Sequence, residues 1–441
     1  MHVVERFADF AVNFREAALG AEVLHHAKRA LIDWHAAAYP GSIAPPATLL
    51  EKAFASEIGN GRSFLVSGKR TSARTAALIN GTAAHSVEFD DIFRDGIYHP
   101  GAPTISAALA VAQAEGASGE KFLRAVVAGY EISTRIGAAM GRAHYRFWHN
   151  TGTIGCFGAA AAAAELLNLD KKRFAHALAT VATFSAGLQQ AFRMDSMSKP
   201  LHAGRAAEAG VSATLAAREG VTGSLDVMEG EAGYGRAMGD GPDWDKAAAT
   251  LGREFHITRM TFKNHGCCGH AFAAIDGALE LKKRMNLDSA DIERVEIGTY
   301  KAALEVAGYE HPRTASEARF SVKYVVATAL THGNVRLAAF EASRLTDEKT
   351  REMMKRIDIS VAPDLDAAFP AKRAARVAIR ARGGRREEFE QPTRKGDPDM
   401  PLTDAEVDAK FMELAAPVIG AARARERLAA LWRLETEKQL P

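Results

Sequence analysis

Apolar residues recur at three- and four-residue intervals through about the first 255 positions, and that periodicity allows little except helix. Phe7, Phe10, Ala11 and Phe14 share one such face; Val23, Ala27, Ala30, Leu31 and Trp34 share another. Further helices are expected over 45–58, 72–88, 103–115, 119–141, 153–167, 171–190 and 202–219. Gly or Pro separates many of them, as at Gly41, Gly101-Ala102-Pro103 and Gly220. Their small residues allow close helix packing. The 61–66 stretch reads as a short strand. This half of the chain is a large helical domain.

The pattern changes after about residue 265. A helix over 270–285 leads to Ile292-Glu293-Arg294-Val295-Glu296-Ile297, whose alternation signals a strand. Thr314 and Glu317 have capping-box spacing and open a helix expected to run to about Thr331. Two more alternating segments follow, Ile357–Val361 and Val377–Arg380, and Gly383-Gly384 turns the second into a hairpin with 387–391. After Pro392, Gly396, Pro398 and Pro401, Thr403 and Glu406 form another capping box, and two helices close the chain. The expected fold is therefore mainly α. A helical domain built from both chain ends (1–265 and 396–441) carries a smaller α+β domain at 266–395. A chain of 441 residues is long enough for two domains.

Composition excludes several classes of function. Hydrophobic residues at 47% and charged residues at 25% are the balance of a globular protein. A net charge of +2 gives little global attraction to nucleic acid or anionic lipid. Cys156, Cys267 and Cys268 make no disulfide framework and fit a reducing compartment. The start, Met1 to Arg6, has no apolar core of a signal peptide, and the apolar run Gly158–Leu167 is too short to span a bilayer. A cytoplasmic protein with no membrane or nucleic-acid partner is expected. Gly68-Lys69 lacks the upstream glycine of a P-loop, and no G-x-G-x-x-G follows a convincing strand, so no nucleotide cofactor is expected.

Polar clusters interrupt the apolar helices. The first is His85-Ser86-Val87-Glu88-Phe89-Asp90-Asp91, followed by Tyr98-His99-Pro100-Gly101. Three carboxylates and two histidines so close together can supply acids and bases, although a helix end with a solvated acidic loop has the same composition. The second, Trp148-His149-Asn150-Thr151-Gly152-Thr153, precedes an apolar helix that Thr151 or Thr153 can cap, leaving amides suited to a carboxylate. The third, Met197 to Gly204, places Lys199 before a helix-starting proline, where an anion is favoured. The fourth is Phe262-Lys263-Asn264-His265-Gly266-Cys267-Cys268-Gly269-His270, at the domain junction. Two His and two Cys suggest zinc, but adjacent cysteines chelate poorly and no metal is expected. The fifth, Tyr309 to Arg313, offers an arginine for a carboxylate or simply a loop before a capped helix.

Together, and in this order, these clusters resemble the MmgE/PrpD family, which includes 2-methylcitrate dehydratase, cis-aconitate decarboxylase and iminodisuccinate epimerase. The resemblance covers about residues 5–415 and is strongest in NGTAAHSVEFDD, HPGAPTISAALAVAQ, HNTGTIGCFGAAAAAAELL, SKPLHAGRAAEAG and FKNHGCCGHAFAAIDG. It implies a large helical domain with an α+β lid, a homodimer, a site in the cleft between the domains, no cofactor and no metal. The substrate it implies is a small di- or tricarboxylate. The family's acidic motif falls on His85 to Asp91, its H-P pair on His99-Pro100, its cleft histidine on His149, K-P-x-H on Lys199 to His202, and the interdomain segment on Lys263 to His270. Some positions depart from the family pattern. Glu88 replaces an aspartate, Ile92 a Thr or Ser, and Gly101 a serine; K-x-Y-P-C-C reads Lys263-Asn264-His265-Gly266-Cys267-Cys268. Cys268 stands where cis-aconitate decarboxylase has a functional histidine, which argues against carrying that activity over whole.

Such substrates react at a carbon beside a carboxylate: a base takes the proton while cations stabilise the charge that builds on oxygen. Histidine titrates near working pH, and lysine supplies a lasting charge. The expected roles are His99 and His149 as the acid–base pair and Lys199 and Lys263 on substrate carboxylates. Glu88 and Asp91 orient the histidines or bind a substrate hydroxyl. His202, Cys268 and His270 support the binding side. A hydro-lyase of the 2-methylcitrate dehydratase kind is the leading expectation. An epimerase using the same proton abstraction, or a homologue that binds a carboxylate without turnover, are the alternatives.

Overall fold

The computed structural model describes residues 1–192, 194 and 196–440. The chain divides into two compact units, Met1–Phe262 with Thr403–Pro441, and Lys263–Leu402. It is mainly α with a small α+β part. Among the described residues no helix is long and apolar enough to cross a membrane.

In the first unit, helices Ala73–Ser86, Gly101–Glu115, Gly119–Tyr145, Gly155–Leu166 and Ser198–Arg218 pack around a core of small residues. Ser72 caps the first of these, its hydroxyl accepting from the Thr75 amide at 3.2 Å. The crossing of Ala73–Ser86 with Ser198–Arg218 needs glycine on both sides. A Cβ on Gly81 would lie 3.0 Å from the Gly204 Cα, and one on Gly204 would lie 2.2 Å from the Leu78 carbonyl oxygen. This close approach matters for position, because His85 lies one turn beyond Gly81, and Lys199 and His202 lie within a turn and a half of Gly204. The glycine contact therefore sets the spacing of two of the polar clusters.

The expected strand near 61–66 is present as Ser63–Phe64, paired with Arg70–Thr71. The helix expected over 171–190 stops at Ala182. There the Ser185 hydroxyl donates to the Thr153 carbonyl at 2.7 Å, and Gly187 takes φ 134°, outside any helix. The segment turns back along the chain before His149 instead, with Leu188 bridging Trp148. The helix expected to open at 153 begins as a separate turn, Asn150–Thr153, before Gly155–Leu166, and no side chain caps either piece. Thr151 and Thr153 have other partners, described below.

The second unit is a four-stranded sheet in the order Ile357–Val361, Ile292–Thr299, Ala375–Ala381, Arg386–Gln391. The first pair is parallel and the others antiparallel, with Val295 opposite both Ile357 and Ile379. Ile292, Val295, Ile297, Val377 and Ile379 are buried against helices Phe272–Arg284 and Val322–His332. The single helix expected from Thr314 is two, Ala315–Arg319 and Val322–His332. Ser321 breaks it by capping the second piece, accepting from the Tyr324 amide at 3.1 Å while donating to the Tyr309 carbonyl.

The C-terminal helix Asp404–Ile419 returns to the first unit, opened by the Thr403/Glu406 capping box. Its Lys410 ammonium donates to Asp33 at 2.6 Å and to the Phe89 carbonyl at 2.7 Å, with both charged side chains only 1% exposed. Removing one partner of a buried ion pair typically costs about 3–5 kcal/mol. Lys410→Ala is therefore expected to lower unfolding stability by about that amount, measured by urea denaturation of the full chain, and to loosen the loop that holds Phe89.

Candidate functional site

The loop from Val87 to Pro100 joins helices Ala73–Ser86 and Gly101–Glu115 and carries Glu88, Asp90 and His99. His85 sits in the last helical turn. Glu88 then adopts φ 57°, an uncommon left-handed conformation for a residue with a side chain, and directs the chain sharply away. The loop is pinned at several points. Phe93 and Tyr98 bridge, the Phe93 amide donating to the Tyr98 carbonyl at 2.8 Å. The Tyr98 hydroxyl donates to Ser133 Oγ at 2.9 Å, and Asn150 Nδ2 donates to the Gly96 carbonyl at 2.7 Å. The His99 amide donates to Thr151 Oγ1 at 3.2 Å, tying the first polar cluster to the second.

Asp90, which was not among the expected site residues, is the carboxylate the histidines share. His85 Nδ1 donates to Asp90 Oδ2 at 2.7 Å, and His99 Nδ1 makes an ion-pair contact with the same oxygen at 3.2 Å. Burial alone would raise the Asp90 pKa, but His85 and His99 hold it well below the usual carboxylate range. Burial pushes His85 down to about 3, against the opposing pull of Asp90. His85 is thus a neutral ring that donates through Nδ1. The His99 ring meets it edge-on at 4.7 Å and the His149 ring stacks on it at 5.5 Å.

Asp91, expected to orient the histidines, faces elsewhere. Its Oδ2 accepts from the Tyr130 hydroxyl at 2.7 Å and its Oδ1 from the Gly101 amide at 3.0 Å. Burial, then the nearby Asp33, push its pKa up to about 7. The same pair explains Gly101, because a Cβ there would lie 2.7 Å from the Tyr130 hydroxyl and 2.8 Å from Asp91 Oδ1. A serine has no room.

Lys199, on the first turn of Ser198–Arg218, is ion-paired with Glu88. His149 is held by its amide, which donates to the Gly187 carbonyl at 2.9 Å, and its Nδ1 lies 2.9 Å from His202 Nδ1. Burial lowers the His149 pKa well below its usual value, with His85, His202 and His99 adding to the effect. Burial and then Lys199 bring His202 to about 4. Thr153 Oγ1 pairs with His144 Nε2 at 2.6 Å. The first unit thus brings together His99, His149, Lys199, Glu88 and His202, adds His85 and Asp90, and leaves Asp91 behind them.

His85, Asp90 and His99 also place three metal-capable atoms within 4.8 Å of one another. A cation there would have to replace the protons shared with Asp90, and the Lys199 charge, which already disfavours protonation of His85, opposes it.

Lys263, Cys268 and His270 belong to the second unit. Lys263 is buried, and the Cys268 amide donates to the Arg319 carbonyl at 2.9 Å. His270 Nδ1 pairs with the Tyr300 hydroxyl at 2.8 Å, and the Tyr300 ring stacks on Phe369 at 4.4 Å. Burial, then Arg373 and Arg394, keep His270 well below its usual pKa. His265 pairs with Asp276 at 2.8 Å, so one histidine of this cluster is taken up in holding the segment. Arg313 is exposed, its amide donating to Glu317.

A model of the MmgE/PrpD N-terminal domain matches residues 5–247, and one of the MmgE/PrpD C-terminal domain matches residues 265–436. The chain belongs to the MmgE/PrpD family. A cis-aconitate decarboxylase-like protein of Aspergillus oryzae is 27% identical over 99% of this chain and 95% of its own length. Human cis-aconitate decarboxylase is 25% identical over 95% of this chain and 88% of its own length, and the mouse protein 28% over 67% and 62%. In this MmgE/PrpD chain, Asp91 makes a test of the geometry by stability alone. Its folded pKa of about 7 lies above the unfolded value, so its protonated form stabilises fully below about pH 4, and that contribution is lost as pH rises through 7. Asp91→Asn should therefore gain stability relative to wild type as pH rises from about 4 to about 7, followed by denaturation at each pH.

Proposed function

We propose that this protein is a cofactor-independent lyase acting on a small di- or tricarboxylate by proton transfer at a carbon beside a carboxylate, with dehydration as its leading reaction. The observation that carries this is the pair of histidines packed against His85, His99 with its Nδ1 3.2 Å from the buried Asp90 carboxylate and His149 stacked on the His85 ring with its Nδ1 2.9 Å from His202. Environments that differ in this way separate an acid from a base. The Asp90 carboxylate beside its ring assigns His99 as the acid. Burial holds His149 well below its usual pKa and so neutral, which assigns it as the base.

In dehydration His149 removes the proton, the C–H electron pair forms the new double bond, and the C–O bond breaks. His99 gives its proton to the departing hydroxide, which leaves as water. Lys199 holds a substrate carboxylate, and Glu88 fixes the Lys199 ammonium. The names of the relatives support a second reading, decarboxylation. There the C–C bond to a carboxylate breaks, carbon dioxide leaves, and His99 protonates the carbanion.

Proton NMR in D₂O with EDTA present, using 2-methylcitrate, citrate, cis-aconitate and iminodisuccinate separately, distinguishes these. A new vinyl signal from a hydroxy-acid supports dehydration. Loss of a carboxylate from cis-aconitate supports decarboxylation. Deuterium wash-in without either moves the reading to an epimerase, and silence across the panel sinks the lyase proposal. With the active substrate, His99→Ala and His149→Ala are each expected to lower kcat by about 10²–10⁴-fold, and near-wild-type turnover in both would overturn the assignment.

A further inference from the structure

We propose that Arg319 is an anion-binding residue, whose guanidinium in the second unit holds a carboxylate of a small di- or tricarboxylic acid. The proposal rests on the reading above only for the choice of carboxylate over other anions. Arg319 ends the short helix Ala315–Arg319, where its carbonyl accepts from the Cys268 amide at 2.9 Å. Its guanidinium lies over the Phe340 ring, 4.8 Å from the centroid. Nε is buried, and among the described residues the guanidinium has no hydrogen bond or ion pair. A guanidinium carries five N–H donors, and a buried donor without an acceptor is costly. Native proteins keep few such groups, and a bound ion is one reason to keep one.

The structural tasks open to this arginine are already filled. A basic side chain at a helix C-terminus can satisfy the last carbonyls. Here the Glu317 carbonyl accepts from the Phe320 amide at 3.1 Å, that of Ala318 from the Ser321 amide at 3.2 Å, and that of Arg319 from Cys268. Two acids of this unit are engaged elsewhere. Glu317 accepts from the Arg313 amide at 2.7 Å, and Asp276 pairs with His265 at 2.8 Å and accepts from the Lys395 amide at 2.9 Å.

The contact with Phe340 suits a carboxylate. An aromatic ring takes the face of a guanidinium and leaves its edge, where paired N–H groups match two carboxylate oxygens. The side chain is partly exposed although Nε is buried, so that edge can be reached from solvent. Burial brings the Arg319 pKa down to about 10, with the Cys267 thiol acting the other way. Burial also holds that thiol well above its usual pKa, and so neutral. At neutral pH the guanidinium keeps its charge beside an uncharged thiol, in surroundings where an anion is attracted more strongly than in water.

The test uses the full chain, with urea denaturation and calorimetric titration of tricarballylate and succinate, acids that have no hydroxyl to lose. Arg319→Met should unfold at no lower a urea concentration than wild type, because it removes a buried cation that has no partner in the protein. It should also bind tricarballylate about 10–100-fold more weakly. Arg319→Lys, which keeps the charge but not the fork, should fall between the two. The proposal is overturned by equal affinity in wild type and Arg319→Met, by a wild type that binds neither acid, or by an Arg319→Met that unfolds well below wild type. The acid held is either the reacting substrate or a second molecule, and kinetics with the active substrate separates them. A KM raised about 10–100-fold in Arg319→Met with kcat kept identifies the substrate, whereas unchanged KM and kcat identify a separate carboxylate. Arg319-dependent binding without turnover of any acid in the panel would count against the lyase reading alone.

Discussion

The arrangement of the first unit's polar residues depends on keeping one buried carboxylate charged. Asp90 is 1% exposed, and a carboxylate in that position persists as an anion only with donors aimed at it. His85 supplies one from the end of a helix, and the His99 ring lies 3.2 Å from the same oxygen at the far end of the loop that follows. Satisfying Asp90 therefore fixes both rings, and stacking on His85 sets where His149 packs. The loop tip, fastened through Tyr98 and Asn150, keeps His99 within reach of that oxygen.

Beneath this polar layer lies a helix crossing that only glycine permits. Gly81 and Gly204 let two helices approach until backbone meets backbone, which brings His85 and the Lys199–His202 segment to neighbouring positions. Wider side chains would push those helices apart and disperse the site before changing any of its residues. Lys410 ties in a third element, reaching from the chain's end to Asp33 and to the carbonyl of Phe89, next to Asp90.

Much of the fold was legible because its signals are local. The alternation in Ile292–Ile297, the turn at Gly383-Gly384 and the Thr403/Glu406 box each depend on a few adjacent residues, and each appears in the structure. Features set by distant partners were not legible. Nothing in the 171–190 periodicity shows that Gly187 is needed beside His149, and nothing before Ser321 shows that its hydroxyl is shared with Tyr309. At the site the sequence offers two adjacent aspartates with no local difference. The left-handed turn at Glu88, a conformation sequence rarely announces, leads into the loop in which Asp90 faces the histidines and Asp91 faces Tyr130. His85, one of the first cluster's two histidines, is the ring on which His99 and His149 pack. The room at Gly101, which a comparison of motifs records only as a missing hydroxyl, has its cause in that same Asp91–Tyr130 pair.

The site's two kinds of buried group respond to pH in opposite senses. His85 is held neutral down to about 3, so its contribution to stability is present above its unfolded pKa near 6.5 and is lost as pH falls towards 3. Asp91 is held protonated up to about 7, so its contribution is present in acid and is lost as pH rises to that value. Between these limits neither group is in its best state, and packing of the small-residue helices must offset both. The benefit falls on the chemistry. A neutral ring stack beside one ionised carboxylate gives a proton two unequal places to reside, and the proposed proton transfer depends on that inequality.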